Sequence, residues 1–291
     1  MTPLPNPVPL VNRAEIAAGL RGFGVLENAG VMVHSSLSSF GRVEGGALAV
    51  IEALMAVITA QGTLLMPSFN HAAPFTAGGP GYFDPRETPT SNGAIPDHFW
   101  RLPGVLRSLD PTHPIAAWGR NAQRYTEGHH RTLTMGPRSS LGMLAAEGGF
   151  GLLLGVGYAA NTFHHVVEMS GGAPCLGQRS EAYPVRLPDG RTVLGRTWGW
   201  RERACPITDK SGYVPAMRSA QVQVQIGCCC ATLFRLRDCA QAIAPLLRDG
   251  LGEYPPCRRC PIRPQQVAQS VPSDWDEPNQ RPLPDSVAWT Y

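Results

Sequence analysis

The middle of the chain brings imidazoles and a carboxylate unusually close together. In "GLLLGVGYAANTFHHVVEMS" (151–170) an apolar run breaks at glycines, then places His164, His165 and Glu168 within five positions. If a helix opens after Asn161-Thr162, which suits an N-cap, His165 and Glu168 are three apart and share a face. The carboxylate can then orient the ring, and an oriented neutral imidazole accepts protons near neutral pH, as a general base must. His164 points roughly 100° away on such a helix and reads as packing or support. A surface ion pair is the plain alternative for His165 and Glu168.

Two other chemistries compete for the same stretch. A zinc site would draw on His164, His165 or Glu168, but adjacent histidines are expected to diverge on a helix, unlike the i, i+4 pair of HExxH. A thiol nucleophile would need a cysteine beside the histidine. Cys175 is nearest in sequence, and nothing around it marks it as activated.

A second anchor is "HSSLSSFGRVEGGALAV" (34–50), between a buried strand and a helix. Its hydroxyls and glycines can expose backbone N–H groups where a helix begins, and unpaired donors there favour an anion. Ser35, Ser36, Leu37, Ser38 and Ser39 thus read either as a phosphate cradle or as a serine-rich loop with Gly45 or Gly46 as a cap. No Walker or GxGxxG pattern is present.

The elements that must hold these anchors follow from periodicity. Residues 13–23 read as a short helix and "AGVMVHSSL" as a strand. "GGALAVIEALMAVIT" has apolar residues at helical spacing, and "TLLMPSF" is the next buried strand. This β–α–β order predicts a parallel pair with a right-handed crossover. A long Gly/Pro/aromatic segment follows at about 69–96, of the kind that usually carries function. Helices are expected in "IPDHFWRLPG" and "GPRSSLGMLAAEGG", and a central strand in "FGLLLGVG". From about 181 to 228 the chain reads as a β-rich addition, with an Asp-Gly turn in "LPDGR" and strict alternation in "SAQVQVQIG". "LRDCAQAIAPLLRDG" is a helix. The expected fold is α/β: a mixed, largely parallel central sheet flanked by helices, with an added antiparallel β region. Residues 1–253 are expected to form one domain, and 254–291 a Pro- and Cys-containing tail that wraps the core or covers the acceptor cleft.

Composition narrows the function. The chain has 291 residues, 43% hydrophobic, with a net charge of +3 and a single lysine, Lys210. That charge is too small, and too scattered, for a nucleic-acid binder. No apolar run reaches the ~18 residues of a membrane span, and the proline-broken N-terminus is not a secretory signal. A cytoplasmic location is expected, so the eight cysteines read as reduced thiols or metal ligands.

In order, "VMVHSSLSSFGRVEGGALAVIEAL", "GTLLMPSF", "GAIPDHFWRLPGVLRSLDPTHPIAAWGRNA", "GPRSSLGML" and "LLLGVGYAANTFHHVVE" resemble the aminoglycoside 3-N-acetyltransferases, the antibiotic N-acetyltransferase superfamily distinct from the GNAT fold. The similarity runs from about residue 13 to 170 and continues more weakly to about 250. It implies an acyltransferase that moves acetyl from acetyl-CoA directly to an amine, without an acyl-enzyme. The family's general base falls on His165 and its orienting carboxylate on Glu168. The turn that holds pantetheine and pyrophosphate falls on His34 to Ser39. His113 and Ser139 match positions flanking the cofactor channel, although the family usually shows Ser-Pro where this chain has Ser139-Ser140. Backbone amides near Ser68 or in the serine turn are candidates for stabilising the oxyanion, at ~3 kcal/mol per contact. The acceptor is less legible. An amine of an aminoglycoside is the first expectation. A non-aminoglycoside amine of secondary metabolism, or a non-catalytic CoA- or metal-binding descendant, are the alternatives.

A polycationic acceptor calls for acids and stacking surfaces. The long loop offers Tyr82, Phe83, Asp84 and Glu87, and later segments offer Trp198, Trp200, Glu202 and Asp209. Cys257 and Cys260 have CxxC spacing, and Cys228 or Cys230 could complete a structural zinc site. Buried small apolar residues are the plain alternative.

Overall fold

The apolar segments read as buried strands lie side by side in one sheet. The computed structural model describes residues 8–132, 134–170, 182–197, 204–249, 252–254 and 257–259. The first half contains β1 (Leu10–Val11), α1 (Arg13–Arg21), β2 (Gly30–Ser35), β3 (Arg42–Val43), α2 (Gly46–Ile58), β4 (Thr63–Pro67), α3 (Ala94–Phe99), β5 (Leu106–Arg107) and β6 (Ile115–Gly119). Next come α4 (Ala122–Thr126), α5 (Ser140–Ala146), β7 (Phe150–Leu154), α6 (Phe163–Ser170), β8 (Ala182–Arg186) and β9 (Thr192–Arg196). The described chain closes with α7 (Val214–Met217), β10 (Gln221–Ile226), β11 (Cys229–Arg235), α8 (Leu236–Asp249), β12 (Gly252–Tyr254) and β13 (Cys257–Arg259).

The seven-stranded sheet has the order β10-β11-β7-β2-β4-β6-β5. Its centre, β7·β2·β4, is parallel, including the predicted β2–α2–β4 unit. Both flanks are antiparallel. Every residue of β4 and β7 is buried, because both faces of the sheet are covered. Alternate side chains feed two cores. Val31, Val33, Leu64, Leu152 and Leu154 pack with α1 and α2. Met32, Leu65 and Leu153 pack with α5, α6 and α8.

A capping box sets the start of α1: the Asn12 side chain accepts from the Glu15 N–H at 3.0 Å, and Glu15 accepts from the Asn12 N–H at 2.8 Å. The helix lies close to β10 because Gly19 carries no side chain. A Cβ there would sit 2.6 Å from Ile226.

The β-rich segment divides in two. β8 and β9 form a separate hairpin around Asp189-Gly190, as the Asp-Gly turn predicts. The alternating "QVQVQI" does not join it; β10 is the edge of the main sheet. The expected half-burial holds only at one end of that strand, where Ile226 is buried while Val222 is 54% exposed. A solvated edge has no partner to cover its outer apolar residues. The backbone of the β12–β13 hairpin lies against α8. Cys260 and the tail beyond it fall outside the described residues. No described helix is long and apolar enough to cross a membrane.

Candidate active site: a histidine cleft at the carboxyl end of the central strands

β2 and β7 are parallel neighbours, with Ser35 beside Leu154, so the two sequence anchors leave the sheet at the same edge. Ligands of α/β sheets bind there. The chain turns out of β7 through Gly155, whose φ of 66° is left-handed. A Cβ on Gly155 would stand 1.7 Å from Ser39 Oγ. Gly155→Ala is therefore expected to cost more than the ~1–2 kcal/mol of the backbone conformation alone, because Ser39 must also move. Urea unfolding measures this; an unchanged midpoint would contradict the packing. Gly157 is extended with open space around it, so the sharp exit belongs to Gly155.

α6 starts where the N-cap predicts. Asn161 Oδ1 accepts from the Phe163 N–H at 3.3 Å, and its Nδ2 donates to the buried Tyr213 hydroxyl at 3.1 Å. One face of the helix carries the pair expected from spacing. His165 Nδ1 is 2.7 Å from Glu168 Oε2, and Glu168 is fully buried. Thr208 donates to the other carboxylate oxygen at 2.7 Å. With the carboxylate ionised, the ring proton resides on Nδ1, leaving the Nε2 lone pair to accept. This buried, doubly bonded carboxylate replaces the surface ion pair that the sequence left open.

His164 corrects an expectation. It is buried, but its ring does not diverge from that of His165: the two Nε2 atoms are 3.0 Å apart and the rings meet edge to face. Their Cβ vectors differ, yet the ring nitrogens lie well beyond Cβ, and both turn toward Asp209. Asp209 Oδ1 is 3.3 Å from His164 Nε2 and 3.9 Å from His165 Nε2. Its other oxygen accepts from the Cys205 N–H at 2.7 Å.

His165, Asp209 and Thr162 line a cavity of about 260 Å³ together with Phe69, His71, His113 and Met135. His113 is thus a wall of the cleft, held by Thr112 Oγ1 at 2.7 Å. His71 reaches the cleft from the long loop, where His71 (φ 50°) and Ala72 (φ 65°) both adopt left-handed backbone. Such conformations cluster at functional sites. Sequence reasoning missed His71, Phe69 and Met135; the loop's length was the one signal for His71. Burial pushes His164 down to about 4, with His165 adding to the effect. Burial, then His164, pushes His34 down to about 3. Burial, then His71, His165 and His129, holds His113 well below its ordinary value. These three rings are neutral at pH 7 and do not repel a cationic amine.

The strand that leads into the serine turn meets the residue before the histidine helix: Thr162 Oγ1 lies 3.3 Å from His34 Nε2. His34 itself is buried in β2 rather than displayed on the turn. Beyond it, Ser36 Oγ pairs with Ser38 Oγ at 3.1 Å, and Ser39 Oγ donates to Ser36 O at 2.7 Å. Leu37–Phe40 is a 3₁₀ turn with no side-chain cap, so the N–H groups at its start lack an intrahelical partner. Ser35 Oγ is buried without a hydrogen bond among the described residues.

Other predicted residues are placed away from this cluster. Ser139 caps α5, donating to Gly136 O and accepting from the Gly142 N–H, and it does not line the cleft. The Ser68 N–H donates to Pro114 O at 2.9 Å and is committed there. Tyr82, Asp84 and Glu87 line a separate cavity of about 460 Å³. Asp84 is buried; its Oδ1 accepts from the Arg86 N–H at 2.8 Å, and its Oδ2 is ion-paired with the Arg186 guanidinium at 3.6 Å, while Tyr82 stacks under Arg186. Trp198, Trp200, Glu202 and Cys175 fall outside the described residues. Cys228 and Cys230 are exposed and Cys229 is buried. Among the described residues no cysteine joins a group of three possible metal ligands, which leaves the zinc expectation without support.

The family described as aminoglycoside 3-N-acetyltransferase matches residues 32–248. The chain belongs to this family. Aminoglycoside N(3)-acetyltransferase IV of Salmonella sp is 32% identical over 242 residues, 82% of this chain and 88% of that protein. The YokD protein of Bacillus subtilis strain 168, named an aminoglycoside N(3')-acetyltransferase-like protein, is 33% identical over 174 residues. That match spans 54% of this chain and 64% of YokD. A mutant of AAC(3)-IVa in complex with apramycin superimposes with a TM-score of 0.67 at 30% identity, covering 86% of this chain and 98% of the other. The mixed sheet with its helical layers is thus the architecture of the aminoglycoside 3-N-acetyltransferases, a family of acyltransferases.

Proposed function

We propose that the chain transfers acetyl from acetyl-CoA to an amine of an aminoglycoside, at the 3-N position, by direct attack. The observation that carries this reading is His165, clamped through Nδ1 by the buried Glu168 and lining the cleft with Asp209. An amine attacks a thioester only as the free base, so a neutral Nε2 must take its proton as the new C–N bond forms; the C–S bond then breaks and coenzyme A leaves as the thiol, taking that proton from the ring. Glu168 then faces an imidazolium and stabilises it, while Thr208 holds the carboxylate in place. Asp209 would draw the amine toward the ring.

The turn from Ser35 to Ser39 fits the cosubstrate. The Leu37 and Ser38 amides, at the open start of its 3₁₀ turn, and the buried Ser35 hydroxyl suit the phosphates and amides of coenzyme A. The His34–Thr162 contact would bring the thioester beside His165. With the Ser68 and Ser36 amides committed to Pro114 O and Leu154 O, the Leu37 and Ser38 amides are the better donors to the oxyanion. The relatives' description as aminoglycoside N(3)-acetyltransferases, and apramycin bound to a mutant of AAC(3)-IVa, support an aminoglycoside acceptor.

A second acceptor reading rests on Asp84. Its pairing with Arg186 and Arg86 removes an acid from the acceptor side, which favours a less cationic amine. One assay separates these readings: thiol release from acetyl-CoA with aminoglycosides and simple amines. Release with aminoglycosides is expected; release only with simple amines would move the acceptor. Tight acetyl-CoA binding with no release from any amine would overturn the enzymatic reading in favour of a non-catalytic relative.

A further inference from the structure

We infer that His164, His165 and Asp209 form an exchangeable site for a divalent late transition-metal ion, and that the bound ion withdraws His165 from proton transfer. The second half rests on the reading of His165 as the base; the first rests on geometry alone.

The three ligand atoms face one another, with separations of 3.0, 3.3 and 3.9 Å. Two atoms each ~2.1 Å from a tetrahedral ion lie ~3.4 Å apart, so small adjustments would place all three around a common centre. Two imidazole nitrogens at 3.0 Å cannot both present lone pairs unless a proton or a cation lies between them. When no metal is bound the proton of His164 Nε2 fills that gap, shared with Asp209 Oδ1 at 3.3 Å, and passes to Asp209 alone when His165 takes a proton; an ion can replace it.

The surroundings favour the exchange. Glu168 accepts the Nδ1 proton of His165, the carboxylate–histidine arrangement that fixes a ligating tautomer and raises its basicity. Thr208 and the Cys205 N–H hold the two carboxylates that would support and ligate the ion. Two nitrogens and one oxygen select zinc, cobalt, nickel or copper over magnesium or calcium. His165 and Asp209 border the cleft, from which water could complete the coordination. Nδ1 of His164 has no hydrogen-bond partner among the described residues. Nothing there fixes that ring for the metal, and the ion should exchange rather than build the fold.

The test loads metal-free full-length protein with Co²⁺ and reads its d–d absorption, then with Zn²⁺ and reads its ligand shell by X-ray absorption. The expected result is one ion with nitrogen and oxygen ligands, a Co²⁺ spectrum lost or at least tenfold weaker in His164→Gln and Asp209→Asn, and acetyl transfer slowed by Zn²⁺ and restored by chelator. A sulfur-containing shell, or a spectrum unchanged in both variants, would assign the ion to the cysteines and overturn the site. The shell is read on wild-type protein, so a variant that fails to fold does not weaken the test. Metal binding with unaffected transfer would overturn the inhibitory half. A nitrogen–oxygen site in protein that acetylates no amine would sink the functional reading while the site stands. Transfer without metal binding would do the reverse.

Discussion

Replacing His165 with alanine is expected to lower kcat at least ~100-fold while acetyl-CoA binding stays within twofold of wild type. The loss corresponds to about 2.7 kcal/mol of transition-state stabilisation, within the usual range for a general base. The geometry explains why binding should survive. His165 extends from α6 into the cleft, whereas the serine turn is built by β2 and its own hydrogen bonds. Steady-state kinetics with calorimetric binding of acetyl-CoA separate the two effects. Turnover within threefold of wild type would remove His165 from proton transfer, and a parallel loss of cofactor affinity would make its role structural.

Acid should loosen the same region. His34 and His164 have folded pKa values of about 3 and about 4, pushed down chiefly by burial. Their unfolded counterparts titrate at ~6.5, so between those values the unfolded chain binds more protons. Stability is then fully present above about pH 6.5 and falls as the pH drops toward the folded values. For His34 the loss at pH 4.5 is about 2–3 kcal/mol, roughly 1.36 kcal/mol for each unit below the unfolded value. Titrating carboxylates add their own slope, so the informative quantity is a difference. The stability deficit of His34→Asn relative to wild type should shrink from pH 7 to pH 4.5, because the variant has no ring to protonate. Urea melts at the two pH values measure it. A deficit that stays constant would mean that His34 is not held neutral by its surroundings.

Much of the fold could be read locally. The strand patterns at 30–35, 63–67 and 150–154 and the helical spacing at 46–58 are strong because each element buries apolar side chains at its own period. Asn161 and the i, i+3 spacing placed His165 and Glu168 on one helix face, since helix geometry is fixed by the backbone. The Asp-Gly turn of the β8–β9 hairpin was equally legible. Sheet membership was not: the alternation of "QVQVQI" is the same whether the strand joins a separate hairpin or edges the main sheet. That depends on β11 pairing with β7, far away in sequence.

The site shows the same division. Sequence alone singled out the residues proposed to carry chemistry: an imidazole three residues before a carboxylate, and a serine turn after a strand. Only the tertiary structure decided their company. It brought Asp209 and Thr208 from about forty residues downstream, His71 from a strained loop, and His34 from the neighbouring strand. It also spent Ser139 on a helix cap and Asp84 on two arginines. Local spacing specifies directions about one axis. Partners and burial are set by how separate elements pack, and no short window of sequence contains that packing.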